Sequence, residues 1–349
     1  MKPVALAGLT ALLLSGVALI LANPTAQSAG VLKAACHGMD APFLPYIGEI
    51  SVDCDDSFMT IASNGMAKHE TMVGITGSNR QVPLPQVYAG KNAWRIPLAP
   101  RLAPGAPTVL QGPMAVAMNG VPIFDPTKPG PNGTKGDTVV EGELDRCNGH
   151  AGRADDYHYH AIPLCLDGTA APGQIVGYGL DGFPVHTFQD AAGSSTGLDE
   201  CNGKSVNGVY GYYATKAYPY QLGCLRGVVI AANQPQTPPL RPPGQPVRGL
   251  ITRNVLAADG FNEMETRLAN GAVEIIRTKQ ASDGCWDFQF LTNGTLQNKA
   301  TYCRGAGGPG GGQGAGGPGP GGPGPGGQGQ RGPGPGGPGG GQGGPPRLP

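Results

Sequence analysis

The chain has 349 residues, and its 24 lysines and arginines balance 24 aspartates and glutamates. No net field steers it to nucleic acid or anionic lipid, and no basic run supplies a local one, so a nucleic-acid partner is excluded from the reading. The length allows one or two domains.

Lys2 precedes an uncharged run over residues 4–22, followed by Asn23-Pro24 and small residues at 25–30. That order predicts a secretion signal over residues 1–29, cleaved near Ala26 to Ala29. The run is also long enough to span a bilayer, so membrane attachment is the alternative if cleavage fails. An exported chain is secreted or lies in the periplasm or cell envelope, where a surface or envelope component is an available partner.

Eight cysteines in an exported chain read as disulfides, because the compartment is oxidising. Sequential pairing is regular: Cys36 with Cys54, Cys147 with Cys165, and Cys285 with Cys303 are each 18 residues apart, and Cys201 with Cys224 is 23. Each closed loop stabilises the fold by roughly 3 kcal/mol in the chain-entropy model.

Residues 36–110 alternate like short strands, at 49–53, 58–61 and 93–97. Two tandem units follow, over about 112–168 and 174–228. Each opens with a hairpin signal, Asn119-Gly120 in the first and Asp181-Gly182 in the second. Each continues through Leu-Asp-x-Cys-Asn-Gly, at 144–149 and 198–203, to a tyrosine strand and a closing cysteine. Residues 30–230 thus form one β-rich domain with internal repeats. Six prolines within 231–249 predict an extended linker. Globular character resumes over 250–304 as a small β segment, with a short helix at 262–268 and strands at 273–276 and 286–291. From residue 305 to 349 Gly, Pro and Gln dominate without a strict Gly-X-Y period, which predicts a disordered tail and excludes collagen. The expected fold class is mainly β: two disulfide-stapled pseudo-repeats flanked by small β segments.

Three histidines of the first unit have no histidine counterpart in the second. His150, His158 and His160 of the first are Lys204, Gly211 and Tyr213 of the second. Residues common to both copies build the fold, whereas residues found in one are candidates for its chemistry. In a strand, Tyr157 and Tyr159 share one face while Asp156, His158 and His160 share the other. Two imidazoles two residues apart, with a third from the Cys-Asn-Gly turn, suit a transition metal ion such as Zn²⁺ or Cu²⁺. Asp156 and His186, the latter standing where the first hairpin has Phe124, are the additional candidate ligands. Cys147 and Cys165 as thiolate ligands are the weaker reading, because Cys201 and Cys224 recur in the copy without histidines. Asp145 and Asp181 read as turn formers, and no nucleophile motif or phosphate loop is present.

These residues resemble the family of secreted proteins named for the YHYH motif. The resemblance rests on Asn64-Gly65 with His69 to Gly77, Val116 to Pro126, Gly142 to His160, Gly177 to Pro184, and Tyr218-Pro219-Tyr220 with Gly223-Cys224. It spans most of residues 36–228 and implies an exported context rather than a particular reaction. Members often carry histidines in the second half too, and Lys204, Gly211 and Tyr213 depart from that pattern. The expected role is metal binding through His150, His158 and His160, with hydrolytic or redox chemistry at the ion as an extension. The competing class is a non-catalytic surface or matrix module whose histidines are structural.

Overall fold

The computed structural model describes residues 33–304, apart from 79, 130–133 and 170. The expected signal segment and the Gly/Pro tail lie outside the described residues. No helix among the described residues is long and apolar enough to cross a membrane. The protein is mainly β, with short 3₁₀ turns such as Ala34–Cys36 and Ala41–Tyr46.

A small antiparallel sheet is built from β1 (Ser51–Cys54), β2 (Phe58–Ala62) and β4 (Trp94–Pro97), in that spatial order, while β3 (Gly77–Ser78) belongs elsewhere. Alternation buries Met59 and Ile61 on β2 and Trp94 and Ile96 on β4, the period-two pattern of a one-sided sheet.

The two repeats fold into a single eight-stranded sheet. The first contributes β5 (Pro113–Ala117), β6 (Pro122–Phe124), β9 (Gly149–Ala151) and β10 (Tyr157–Tyr159). The second contributes β11 (Ile175–Gly179), β12 (Pro184–Phe188), β13 (Gly203–Val206) and β14 (Val209–Ala214). Their spatial order is β13-β14-β12-β11-β5-β6-β10-β9, so the halves meet through their first strands. Val116 pairs there with its own counterpart Tyr178, Ala117 with Gly177 and Ala115 with Gly179, which places a pseudo-twofold axis between β5 and β11. In each half the second hairpin strand runs parallel to the tyrosine strand, through Ile123 with Tyr159 and Val185 with Tyr212. Gly120 and Gly182 take positive φ at the hairpin turns, where a Cβ would strain the backbone. An arm of β7 (Thr127–Pro129) and β8 (Lys135–Asp137) projects from the first half.

The four disulfides join Cys36 to Cys54, Cys147 to Cys165, Cys201 to Cys224 and Cys285 to Cys303. Those are the sequential pairs expected from the spacing.

The last part is an antiparallel meander of β15 (Val247–Leu256), β16 (Asn262–Leu268), β17 (Val273–Ser282), β18 (Cys285–Thr292) and β19 (Thr295–Cys303). The short helix expected at 262–268 is instead β16. Glu, Met and Leu favour a helix locally, but Met264 and Thr266 alternate inward and pairing on both sides overrides that preference. β15 also pairs with β3, through Val247 with Ser78 and Arg248 with Gly77. The proline-rich stretch before it is tied down: Asn92 exchanges hydrogen bonds with Gln236 at 2.8 and 3.0 Å, and Gln234 Nε2 donates to Pro113 O at 2.9 Å. Arg241 in the same stretch is buried against Asp155.

Candidate metal centre

His150 on edge strand β9 stands directly opposite His158 on β10, and His160 follows just past the end of β10. Two features of the backbone bring the third ring in. Asn148 adopts a φ of 65°, a left-handed turn that asparagine tolerates. His160 N then donates to Asn148 O at 3.0 Å. Asp145 fixes the turn from within, accepting from Cys147 N at 2.9 Å, Gly149 N at 3.1 Å and Tyr157 Oη at 2.8 Å.

The three imidazoles converge through one nitrogen. His160 Nε2 lies 3.0 Å from His150 Nε2 and 3.1 Å from His158 Nε2. Nitrogens held about 2.0 Å from one tetrahedral ion are about 3.3 Å apart, close to those separations. Two of the rings are held from their far side. His158 Nδ1 bonds Asp156 O at 3.0 Å, His160 Nδ1 bonds Asp125 O, and His150 also bonds the Glu143 main chain. A ring whose Nδ1 donates to a carbonyl presents its Nε2 lone pair, and this tautomer follows from the hydrogen-bond partners. A single proton bridges one pair of such nitrogens; a metal ion would be needed to engage all three. Burial first, then the neighbouring imidazoles, pushes His150 and His160 well below the ordinary histidine range, so both are neutral at physiological pH.

Asp156 stands behind the ring of His158 rather than beside the converging nitrogens, its Oδ2 3.3 Å from His158 Nδ1. From there its carboxylate orients the imidazole and does not face the point where the three Nε2 atoms meet. Phe124 stacks on His158 at 3.9 Å between centroids and 12° between planes. Gly152 leaves no space behind the same ring, since an added Cβ would meet His158 Cε1 at 2.3 Å. Gly152→Ala is therefore expected to weaken metal binding by about 10- to 100-fold, the scale of outer-shell changes. Equilibrium dialysis against Zn²⁺ checks it, and unchanged affinity would show that the ring position does not matter.

The histidines line a cleft of about 450 Å³, together with Met72, Phe124, Lys128, Glu143 and Arg153. Lys128, on the β7–β8 arm, pairs with Glu141 at 2.8 Å and with Glu143. His158 and His160 are each 3 % exposed, so the cleft is their route to solvent.

The sister half shows what the same framework looks like without the triad. Asp199 repeats the role of Asp145 towards Cys201 N, Gly203 N and Tyr210 Oη, and Tyr213 N donates to Asn202 O as His160 N does to Asn148 O. Lys204 faces Gly211 in the register of His150 and His158. There the Lys204 ammonium lies 5.0 Å from the Tyr213 ring centroid and donates to Gln189 Oε1 at 2.6 Å.

His186 does not join the triad. It lies on β12, four strand positions from β10 and so on the order of 19 Å away at the usual strand spacing. Its ring stacks on Tyr213 at 4.6 Å and bonds Gly173 O at 3.0 Å. A Cβ at Gly211 would meet its Nε2 at 2.8 Å. It packs into the space that Gly211 leaves. His69, given no role by the sequence, bonds Tyr159 Oη at 2.8 Å and lies near Cys147 and Cys165. Those sulfurs are joined in a disulfide, so they offer no thiolate.

Sequence reasoning missed Phe124 and the carbonyls of Asp125 and Glu143. Phe124 was visible as the counterpart of His186. The carbonyls leave no trace in residue type.

Residues 93–192 match the family model described as YHYH protein, a span that contains all three histidines. No curated protein and no solved structure matches the chain.

Proposed function

From a chain whose three clustered histidines lie inside a YHYH domain, we propose an exported protein that binds one transition metal ion through Nε2 of His150, His158 and His160. The observation that carries this reading is the convergence of three imidazole Nε2 atoms, with Nδ1 of His158 and of His160 held by main-chain carbonyls. Four disulfides and no free cysteine support an oxidising location, extracellular, periplasmic or at the cell envelope.

Three histidine ligands suit Zn²⁺ or Cu²⁺. When bound, such an ion supplies Lewis acidity and an activated water, or redox capacity in the case of copper. The chain's own groups hold and orient the ligands. Asp156 and Asp125 O fix ring orientation, Phe124 screens one face of His158, and the cleft leaves a side open to a small molecule. Three protein ligands beside an accessible cleft are the arrangement of reactive rather than purely structural zinc sites. Hydrolysis or redox turnover is accordingly the extension of the reading, and a surface or envelope component its partner in that location.

Titration with Co²⁺ tests the site. The expected result is a visible ligand-field spectrum that saturates near about one equivalent, the stoichiometry of a single three-histidine site, shifts on adding azide, and is displaced by Zn²⁺. It should be absent in His158→Ala/His160→Ala. A flat titration of the native protein would remove the reading.

A further inference from the structure

A second cleft, of about 780 Å³, shares no lining residue with the histidine cleft. Its walls come from β1, β2 and the turn region that precedes β1, with Gln86, Val87 and Ala89 closing another side. Leu44, Ile47, Ile50, Val52 and Val87 give it an apolar lining. The size is that of a small-molecule site.

Asp40 also lines it and is 4 % exposed. Its Oδ2 accepts from Lys33 N at 2.7 Å. Its Oδ1 is buried with no hydrogen-bond partner among the described residues. Buried carboxylate oxygens almost always have a donor, because leaving one unmet forfeits its hydration. The nearby cations are committed elsewhere: Lys33 Nζ pairs with Asp53 at 2.7 Å, and Lys68 pairs with Glu49 at 2.6 Å. No described side chain supplies the missing positive donor.

We propose that this cleft binds a small organic cation, a primary ammonium group on an apolar chain, with the ammonium at Asp40 and the chain along Ile47, Ile50, Val52 and Val87. The carboxylate explains the charge and the apolar walls explain the body. An inorganic cation would leave those walls without a role. The site is independent of the histidines and does not rest on metal binding.

Calorimetric titration with hexylammonium chloride, beside hexan-1-ol as an uncharged match, tests the proposal on the full chain. Saturable binding of the ammonium is expected, about tenfold or more tighter than the alcohol, since the charged hydrogen bond is the difference between them. Asp40→Asn should lose that preference. Asp40 also anchors Lys33, so Val87→Arg provides a second variant: Val87 is 66 % exposed, and a cation at the mouth should abolish ammonium binding without disturbing the core. No saturable binding to the native protein would overturn the proposal and leave a buried water as the partner of Oδ1. Equal binding of alcohol and ammonium, or binding that Val87→Arg leaves intact, would overturn it too.

Discussion

Arg241→Ala is expected to cost about 3–5 kcal/mol of stability at neutral pH, the scale for removing one partner of a buried ion pair. Asp155 is 1 % exposed and takes two hydrogen bonds of 2.8 Å from the Arg241 guanidinium. That guanidinium also donates to Arg80 O at 2.6 Å and lies 4.9 Å from the Phe288 ring centroid. One side chain thus joins the first repeat, the β3 region and the meander. Burial pushes the Asp155 carboxyl above its usual range, and Arg241 opposes that push. Without the arginine the carboxyl rises further. A carboxyl whose folded pKa is raised binds its proton more tightly in the folded state, so it destabilises once pH passes the ordinary aspartate range. The deficit of the variant should therefore shrink on acidification towards that range and grow towards neutrality. Urea unfolding at both pH values measures it, and a deficit that does not change with pH would contradict the account. Asp155→Ala/Arg241→Ala should be less damaged than the single variant.

Asp145→Ala is expected to cost at least about 3 kcal/mol, because it leaves several buried donors unmet at about 1–3 kcal/mol each. Those donors are Met72 N, Cys147 N, Gly149 N and Tyr157 Oη, at 2.8 to 3.1 Å. Asp199 performs the same task in the sister half with three of these donor types, and its side chain is 28 % exposed. Asp199→Ala should therefore cost less, about 1–2 kcal/mol on the same scale. The contrast in metal binding is sharper. Asp145 shapes the turn that carries His150, so its loss should weaken binding by about 10- to 100-fold. Asp199→Ala should leave binding unchanged. Equal effects of the two variants would mean that the turn does not position His150.

The triad was legible because the chain carries its own control. Asp145 and Asp199, Cys147 and Cys201, and Tyr157 and Tyr210 do the same work in both halves, so the framework cancels and the histidines remain. The same comparison also picked out His186, which lies four strand positions from β10 and packs on Tyr213 and Gly211. Local pattern also located the turn glycines and most strands, since Asn-Gly and period-two alternation act within a few residues. It failed at residues 262–268, where pairing with β15 and β17 decides the conformation. Nothing local announces that Gly77-Ser78 pairs with 247–248, or that Arg241 reaches Asp155 across 86 residues. Such contacts depend on how distant segments close, which the alternation of side chains does not encode.

The most direct measurement is the metal content of native, untagged protein isolated from the exported fraction, by plasma mass spectrometry, beside His158→Ala/His160→Ala. About one equivalent of Zn²⁺ or Cu²⁺ in the native protein and none in the variant is the expected result for a single three-histidine site. No metal in either, after incubation with Zn²⁺, Cu²⁺ and Fe²⁺, would contradict it and leave His150, His158 and His160 as a buried structural cluster.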